Sequence, residues 1–168
     1  MKNNRIPYFF FETKGIGSSS LEHHAGSYHF ALHSAEICNY NILTYSSVIP
    51  KDAILIEKDE WEGQPFGSEL MCIMSVCNGE ESELLAAGIV YGWLYDDNGE
   101  KLGGLACEVS GCYPEDELKY RLEMVIKDLW EKTYSQYKLD NLRYITVQHI
   151  PQERYGTALA ALCFVSFE

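Results

Sequence analysis

Residues 68–112 constrain the fold most. They read as three long strands, punctuated by the turn signals Asn78-Gly79 and Asp96-Asp97-Asn98-Gly99. Asn-Gly and Asp/Asn-Gly steps supply the positive φ angles that tight reversals between paired strands need. Glu83-Leu-Leu-Ala-Ala-Gly-Ile89 also fits a helix, and composition leaves the two readings open. Pro114 then opens an amphipathic helix to about Tyr137, because Leu118, Leu122, Val125, Ile126, Leu129 and Trp130 recur at helical spacing.

The remaining segments fill in around that frame. Residues 6–12 read as a first strand, with Pro7 near its start, and residues 13–26, rich in Gly, Ser and His, as a loop. Residues 27–38 read as a short helix with Ser27 as N-cap. Residues 40–47 and 53–57 are strands, and 142–150 with 157–167 a final strand pair. Strands outnumber the two convincing helices, which predicts an α+β domain with helices packed on sheet. No linker or repeat divides the chain, so residues 1–168 form a single domain.

The length of 168 residues allows a real core, since such a chain buries roughly 68–70% of its unfolded surface. A net charge of −12 argues against holding nucleic acid, which needs a basic face. No apolar run approaches the ~20 residues of a membrane helix, and no secretory h-region follows Met-Lys-Asn-Asn-Arg, so no membrane partner and a cytoplasmic location are expected. The six cysteines lack Cys-x-x-Cys spacing, and most lie in apolar strands, where buried free thiols are the expected state. His29 and His33 stand four apart on one helix face with Glu36 a turn further, a spacing that suits a metal, but no His-Glu-x-x-His pattern supports it.

The chemistry concentrates at Ser46-Ser47. The pair closes the apolar run Asn39-Tyr-Asn-Ile-Leu-Thr-Tyr and is followed at once by Val48-Ile-Pro50. A hydroxyl at Ser47 can attack the carbonyl carbon of Ser46 and turn the amide into an ester. Elimination at residue 47 then cuts the chain, and hydrolysis leaves a pyruvoyl group at the new terminus. That ketone is an electron sink made from the protein itself, of the kind a separate cofactor otherwise supplies.

The run Ala31-Leu-His-Ser-Ala-Glu-Ile-Cys-Asn-Tyr-Asn-Ile-Leu-Thr-Tyr-Ser-Ser-Val-Ile-Pro50 resembles the pyruvoyl-dependent arginine decarboxylase family. Weaker matches lie in order elsewhere. Gly15-Ile-Gly17 looks like a family loop, Gly104-Leu-Ala-Cys-Glu108 like the strand that carries the catalytic acid, and Val147-Gln-His149 through Gly156–Ala161 like the C-terminal strand pair. The resemblance implies an αββα sandwich and trimers, or dimers of trimers, with active sites between subunits. It implies cleavage into residues 1–46 and 47–168, a pyruvoyl cofactor derived from Ser47, and decarboxylation of an amino acid, arginine to agmatine by family default.

Site residues follow by position in the same resemblance. Ser46 and Ser47 form the processed bond, and Asn41 matches the residue linked to polarising its carbonyl, a role a side-chain amide can fill. Glu108, in a run with few other charges, matches the proton donor of decarboxylation; apolar surroundings raise a carboxyl pKa and suit it to that task. His29, Leu32 and Tyr40 fall at substrate-binding positions. His29 departs from the arginine-specific pattern, which has an acid there to pair with guanidinium; Glu36 or Glu22 could replace it only if the fold brings them near. An unprocessed homologue that keeps the fold as a structural or binding protein is the non-enzyme alternative.

Overall fold

Two faces of one strand show how the layers are built. In β6 (Leu85–Tyr95), Leu85, Ala87, Ile89 and Tyr91 face one way and Ala86, Val90 and Leu94 the other, and all seven are buried. A strand apolar on both faces must be covered on both. The computed structural model describes residues 5–21 and 23–168, so Glu22 lies outside the described residues. Among the described residues, mixed α and β structure forms one domain of mostly sheet with two α-helices.

One sheet has the order β2 (Asn41–Thr44), β5 (Glu69–Glu80), β9 (Tyr155–Phe164), β1 (Phe9–Ser19) and β4 (Ile54–Leu55). The other has the order β3 (Val48–Pro50), β7 (Lys101–Gly111), β6 and β8 (Lys138–His149). Phe10, Ile73, Leu162 and Phe164 of the first meet Ile49, Ile89, Tyr91 and Ile145 of the second in a shared core. Helix α1 (His24–Ser34) seals the outer side of the five-stranded sheet with Ala31 and Leu32. Helix α2 (Glu115–Thr133) seals the outer side of the other with Leu118, Leu122 and Ile126, the apolar stripe read from its sequence. A polar cluster at Glu12 spans the layers: Tyr91 Oη donates to Glu12 Oε1 at 2.6 Å, and Arg143 Nε donates to the same oxygen at 2.9 Å.

Several local expectations are corrected. Residues 13–19 are not loop but the second half of β1, and Gly15 and Gly17 lie on the face that α1 presses. A Cβ at Gly15 would come within 2.0 Å of the Ala31 carbonyl oxygen, and one at Gly17 within 2.2 Å of the Ser27 carbonyl oxygen. Ser27 is not an N-cap; it is buried inside α1, which starts at His24, and its hydroxyl pairs with Thr157 Oγ1 at 2.9 Å. Asn78-Gly79 is strand, not turn: Asn78 Oδ1 accepts from Thr157 Oγ1, and the reversal falls later, where Ser82 takes φ 68°. Residues 85–89, which the sequence leaves open between strand and helix, are strand. The final two strands do not pair, because β8 runs beside β6 in one sheet and β9 between β1 and β5 in the other.

Candidate active site

Ser46 and Ser47 sit in the short crossover from β2, in the five-stranded sheet, to β3, in the four-stranded one. The crossover is pinned by backbone. Ala106 N–H of β7 donates to the Ser47 carbonyl oxygen at 3.0 Å, continuing the ladder in which Val48 faces Leu105. Val48 N–H donates to the Ser46 carbonyl oxygen at 2.9 Å, closing a three-residue turn around Ser47.

Strand β3 is short and stops pairing at Val48, so the edge of β7 beyond Ala106 is left open. A cleft of about 390 Å³ forms there. It is lined by Ser47, Cys107 and Glu108 on the sheet side and by Val125, Asp128, Leu129, Lys132 and Thr133 of α2. The fold thus brings Ser47 and Glu108 together. Burial pushes the Glu108 carboxyl above the usual carboxylate range. Cys107 is pushed up to about 11, by burial first and by the Glu108 charge second, so its thiol stays neutral. Asp128 and Lys132 pair at 2.7 Å across one helical turn at the rim.

The other expected site residues lie elsewhere in the subunit. His29 is exposed on α1 beside Phe30, and Leu32 is buried beneath the same helix. The Tyr40 ring packs on Trp61 with centroids 5.2 Å apart, and its hydroxyl accepts Gln64 N–H. Since α1 packs on β1 and β9, these residues belong to the opposite outer side from α2. Asn41 Nδ2 donates to the Gly67 carbonyl at 2.6 Å, at the start of β2, and not to the Ser46 carbonyl. Glu36 is paired with Lys58. No group of three His, Cys, Asp or Glu side chains among the described residues is placed to hold a metal ion, and none of those residues joins His29 and His33 as a third ligand. His149 Nε2 lies 2.7 Å from Ser18 Oγ and ties β8 to β1 across the two sheets.

Sequence reasoning missed the two backbone donors, Ala106 and Val48, because a main-chain N–H leaves no signature in residue type. It also missed the α2 side of the cleft. There a signal existed: Val125, Asp128, Leu129 and Lys132 recur at the three- and four-residue spacing of one helix face.

Ser47 and a carboxyl held toward its neutral form, Glu108, thus line one cleft. Comparison with known proteins gives the class. The model of the pyruvoyl-dependent arginine decarboxylase family matches residues 9–168, and the chain belongs to that family. It is 31% identical over 188 aligned residues to the pyruvoyl-dependent arginine decarboxylase AaxB of Chlamydia caviae, covering 98% of this chain and 93% of the relative. The proteins of the same name from Chlamydia pneumoniae and Chlamydia muridarum are 32% and 29% identical, with the same coverage. The chain is therefore a pyruvoyl-dependent decarboxylase whose cofactor is a covalently bound pyruvoyl group formed from a serine.

Proposed function

We propose that Ser46–Ser47 is the bond that is cut, that Ser47 becomes the pyruvoyl group, and that Glu108 is the proton donor of an amino-acid decarboxylase. The observation that carries this reading is that Ser47 and Glu108, from distant parts of the sequence, line one cleft. Other features support it. The bond lies between strands, so cutting it breaks no ladder: residues 1–46 keep β1, α1 and β2, and residues 47–168 begin at β3. The layered arrangement of two sheets and two helices fits the αββα sandwich of pyruvoyl-dependent decarboxylases.

The residues present suit such a group. A pyruvoyl ketone bound to an amide carbonyl accepts the electron pair released when carbon dioxide leaves a substrate amine. The amide carbonyl in question is that of residue 47, and Ala106 N–H already points at its oxygen from 3.0 Å, where negative charge would develop. Glu108 keeps its proton to higher pH than an ordinary carboxyl and stands ready to deliver it to the substrate α-carbon. Val125 and Leu129 give the cleft an apolar wall.

Arginine is the substrate by family default, and His29 in place of an acid argues for a different or broadened choice. Because His29 and Tyr40 lie on the α1 side of the subunit and Ser47 on the α2 side, they reach a substrate only through a second copy, while Leu32 packs beneath α1. This supports a homotrimer, or a dimer of trimers, with sites between subunits. The free cysteines, most of them buried, fit a reducing cytoplasmic compartment.

Intact mass and a denaturing gel test the reading. Wild type gives two fragments, the larger starting at residue 47 with a blocked terminus, and Ser47→Ala gives one whole chain. A wild-type chain that stays whole, with no ketone reactivity, sinks the proposal and leaves the non-catalytic homologue.

A further inference from the structure

Self-cleavage needs a donor at the Ser46 carbonyl oxygen, where charge accumulates during attack. We propose that this donor is the backbone N–H of Val48, two residues downstream, and that no side chain is required for it. The inference rests on Ser46–Ser47 being the processed bond.

Val48 N lies 2.9 Å from Ser46 O, within the range at which donors stabilise an oxyanion. Ser47 at the turn's centre does not have positive φ, so the turn is the common inverse form. Strand pairing leaves this N–H free for the task. Ala106 N–H bonds to Ser47 O, and Val48 faces Leu105, which makes Val48–Leu105 a non-hydrogen-bonded pair whose N–H groups point away from each other. The side-chain alternative, Asn41, has its amide engaged by the Gly67 carbonyl at 2.6 Å.

The step balances within the chain. Ser47 Oγ attacks the Ser46 carbonyl carbon, a C–O bond forms, and the carbonyl electron pair moves onto the Ser46 oxygen facing Val48 N–H. Collapse breaks the C–N bond, and the proton lost by the hydroxyl ends on the Ser47 nitrogen. The result is an isomerisation of amide to ester with no oxidant, reductant or added reactant. The ladder bond from Ala106 holds the next carbonyl, that of Ser47, on β7.

Val48→Pro removes the N–H without removing a ladder bond. Proline is tolerated at the first residue of an edge strand, and β3 is an edge strand. Val48→Ala trims the side chain and keeps the N–H. Cleavage is followed by gel and intact mass after expression at low temperature, with folding checked by circular dichroism. Val48→Pro should cleave about 10²-fold more slowly than Val48→Ala, the usual effect of losing one oxyanion donor. Equal rates for the two overturn the inference while the cleavage reading stands; a wild type that never cleaves removes that reading itself. Cleavage abolished by Asn41→Ala but kept by Val48→Pro hands the role to Asn41 and also overturns it. If Val48→Pro does not fold, hydrogen exchange of the Val48 amide in uncleaved Ser47→Ala decides. Slow exchange at this exposed residue supports the turn bond, and exchange at the rate of an open peptide refutes it.

Discussion

Replacing Gly15 by Ala tests the contact that fixes α1 on its sheet. The added methyl would lie 2.0 Å from the Ala31 carbonyl oxygen, 2.7 Å from Ala35 N and 3.0 Å from Ala35 Cβ. Ala35 N–H donates to that same Ala31 oxygen at 2.9 Å, so the intrusion meets a helix-ending hydrogen bond and not a flexible side chain. Relief requires α1 to retreat by about 1 Å, and a gap of that size forfeits a quarter to a half of each contact well. The contacts at stake are those of Ala31, Leu32 and Ala35 on Phe11, Leu159 and Ala161. Overpacking costs about 1–3 kcal/mol, and backbone on the receiving side puts this site at the upper end, about 3 kcal/mol. At about 2–4 °C per kcal/mol for a chain of this size, Tm should fall by roughly 6–12 °C. Thermal melts followed by circular dichroism, in the uncleaved Ser47→Ala background, measure it. Ile16→Ala, at an exposed position next door, should move Tm far less. A Gly15→Ala melt within 2 °C of its parent, about the scatter of surface changes, refutes the close-approach argument.

Further outcomes follow from the site. Glu108→Gln should leave cleavage intact and lower decarboxylation by ~10²–10⁴; wild-type turnover should fall as pH rises through the raised Glu108 pKa, and that limb should vanish in the variant. His29→Asp should raise arginine turnover, since a charge-assisted guanidinium pair is worth about 2–5 kcal/mol, or roughly 30- to several-thousand-fold; arginine turnover that is already efficient and unmoved places the guanidinium partner elsewhere. Burial lowers the His149 pKa, partly opposed by a backbone hydrogen bond with Gly17, so the folded state favours the neutral ring. Its stabilisation is present above the unfolded pKa of about 6.5 and is lost as pH falls through the lower folded value. Urea midpoints between about pH 7.5 and 5 should therefore decline more steeply in wild type than in His149→Gln.

What the sequence made legible were features with strong local causes. Leu118, Leu122 and Ile126 repeat at helical period behind Pro114, and α2 is there. Asp96–Gly99 turns as its residue types demand, with Gly99 at φ 82° and Asp96 Oδ1 accepting the N–H groups of Asn98 and Glu100. Features with tertiary causes were hidden. Gly15 and Gly17 look like loop residues by propensity, yet they are strand because a helix lies against them. Asn78-Gly79 looks like a hairpin tip, yet Thr157 on the neighbouring strand claims the Asn78 side chain. Alternation says that β8 and β9 are strands but carries no information on which neighbour each takes. The approach of Ser47 to Glu108 was legible only by family resemblance, since no spacing in the chain encodes it.

The place of β1 has a consequence for how a cut chain comes apart. β1 pairs with β9 from Phe10 to Ser19 but with β4 only at Phe9 and Phe10, so most of its other edge is open. With the proposed cut at Ser46–Ser47, the small fragment is held to the large one by the ladder of β1 on β9 and of β2 on β5. To leave, it must break both ladders and strip Phe10 and Phe11 from the cores, which sets a barrier to dissociation of the nicked protein. Lost by heat, however, the fragment must return from solution, and refolding becomes a bimolecular event that depends on protein concentration. A molecule that folds as one chain would thus melt as two, with its native architecture carrying the memory of a covalent bond it no longer has.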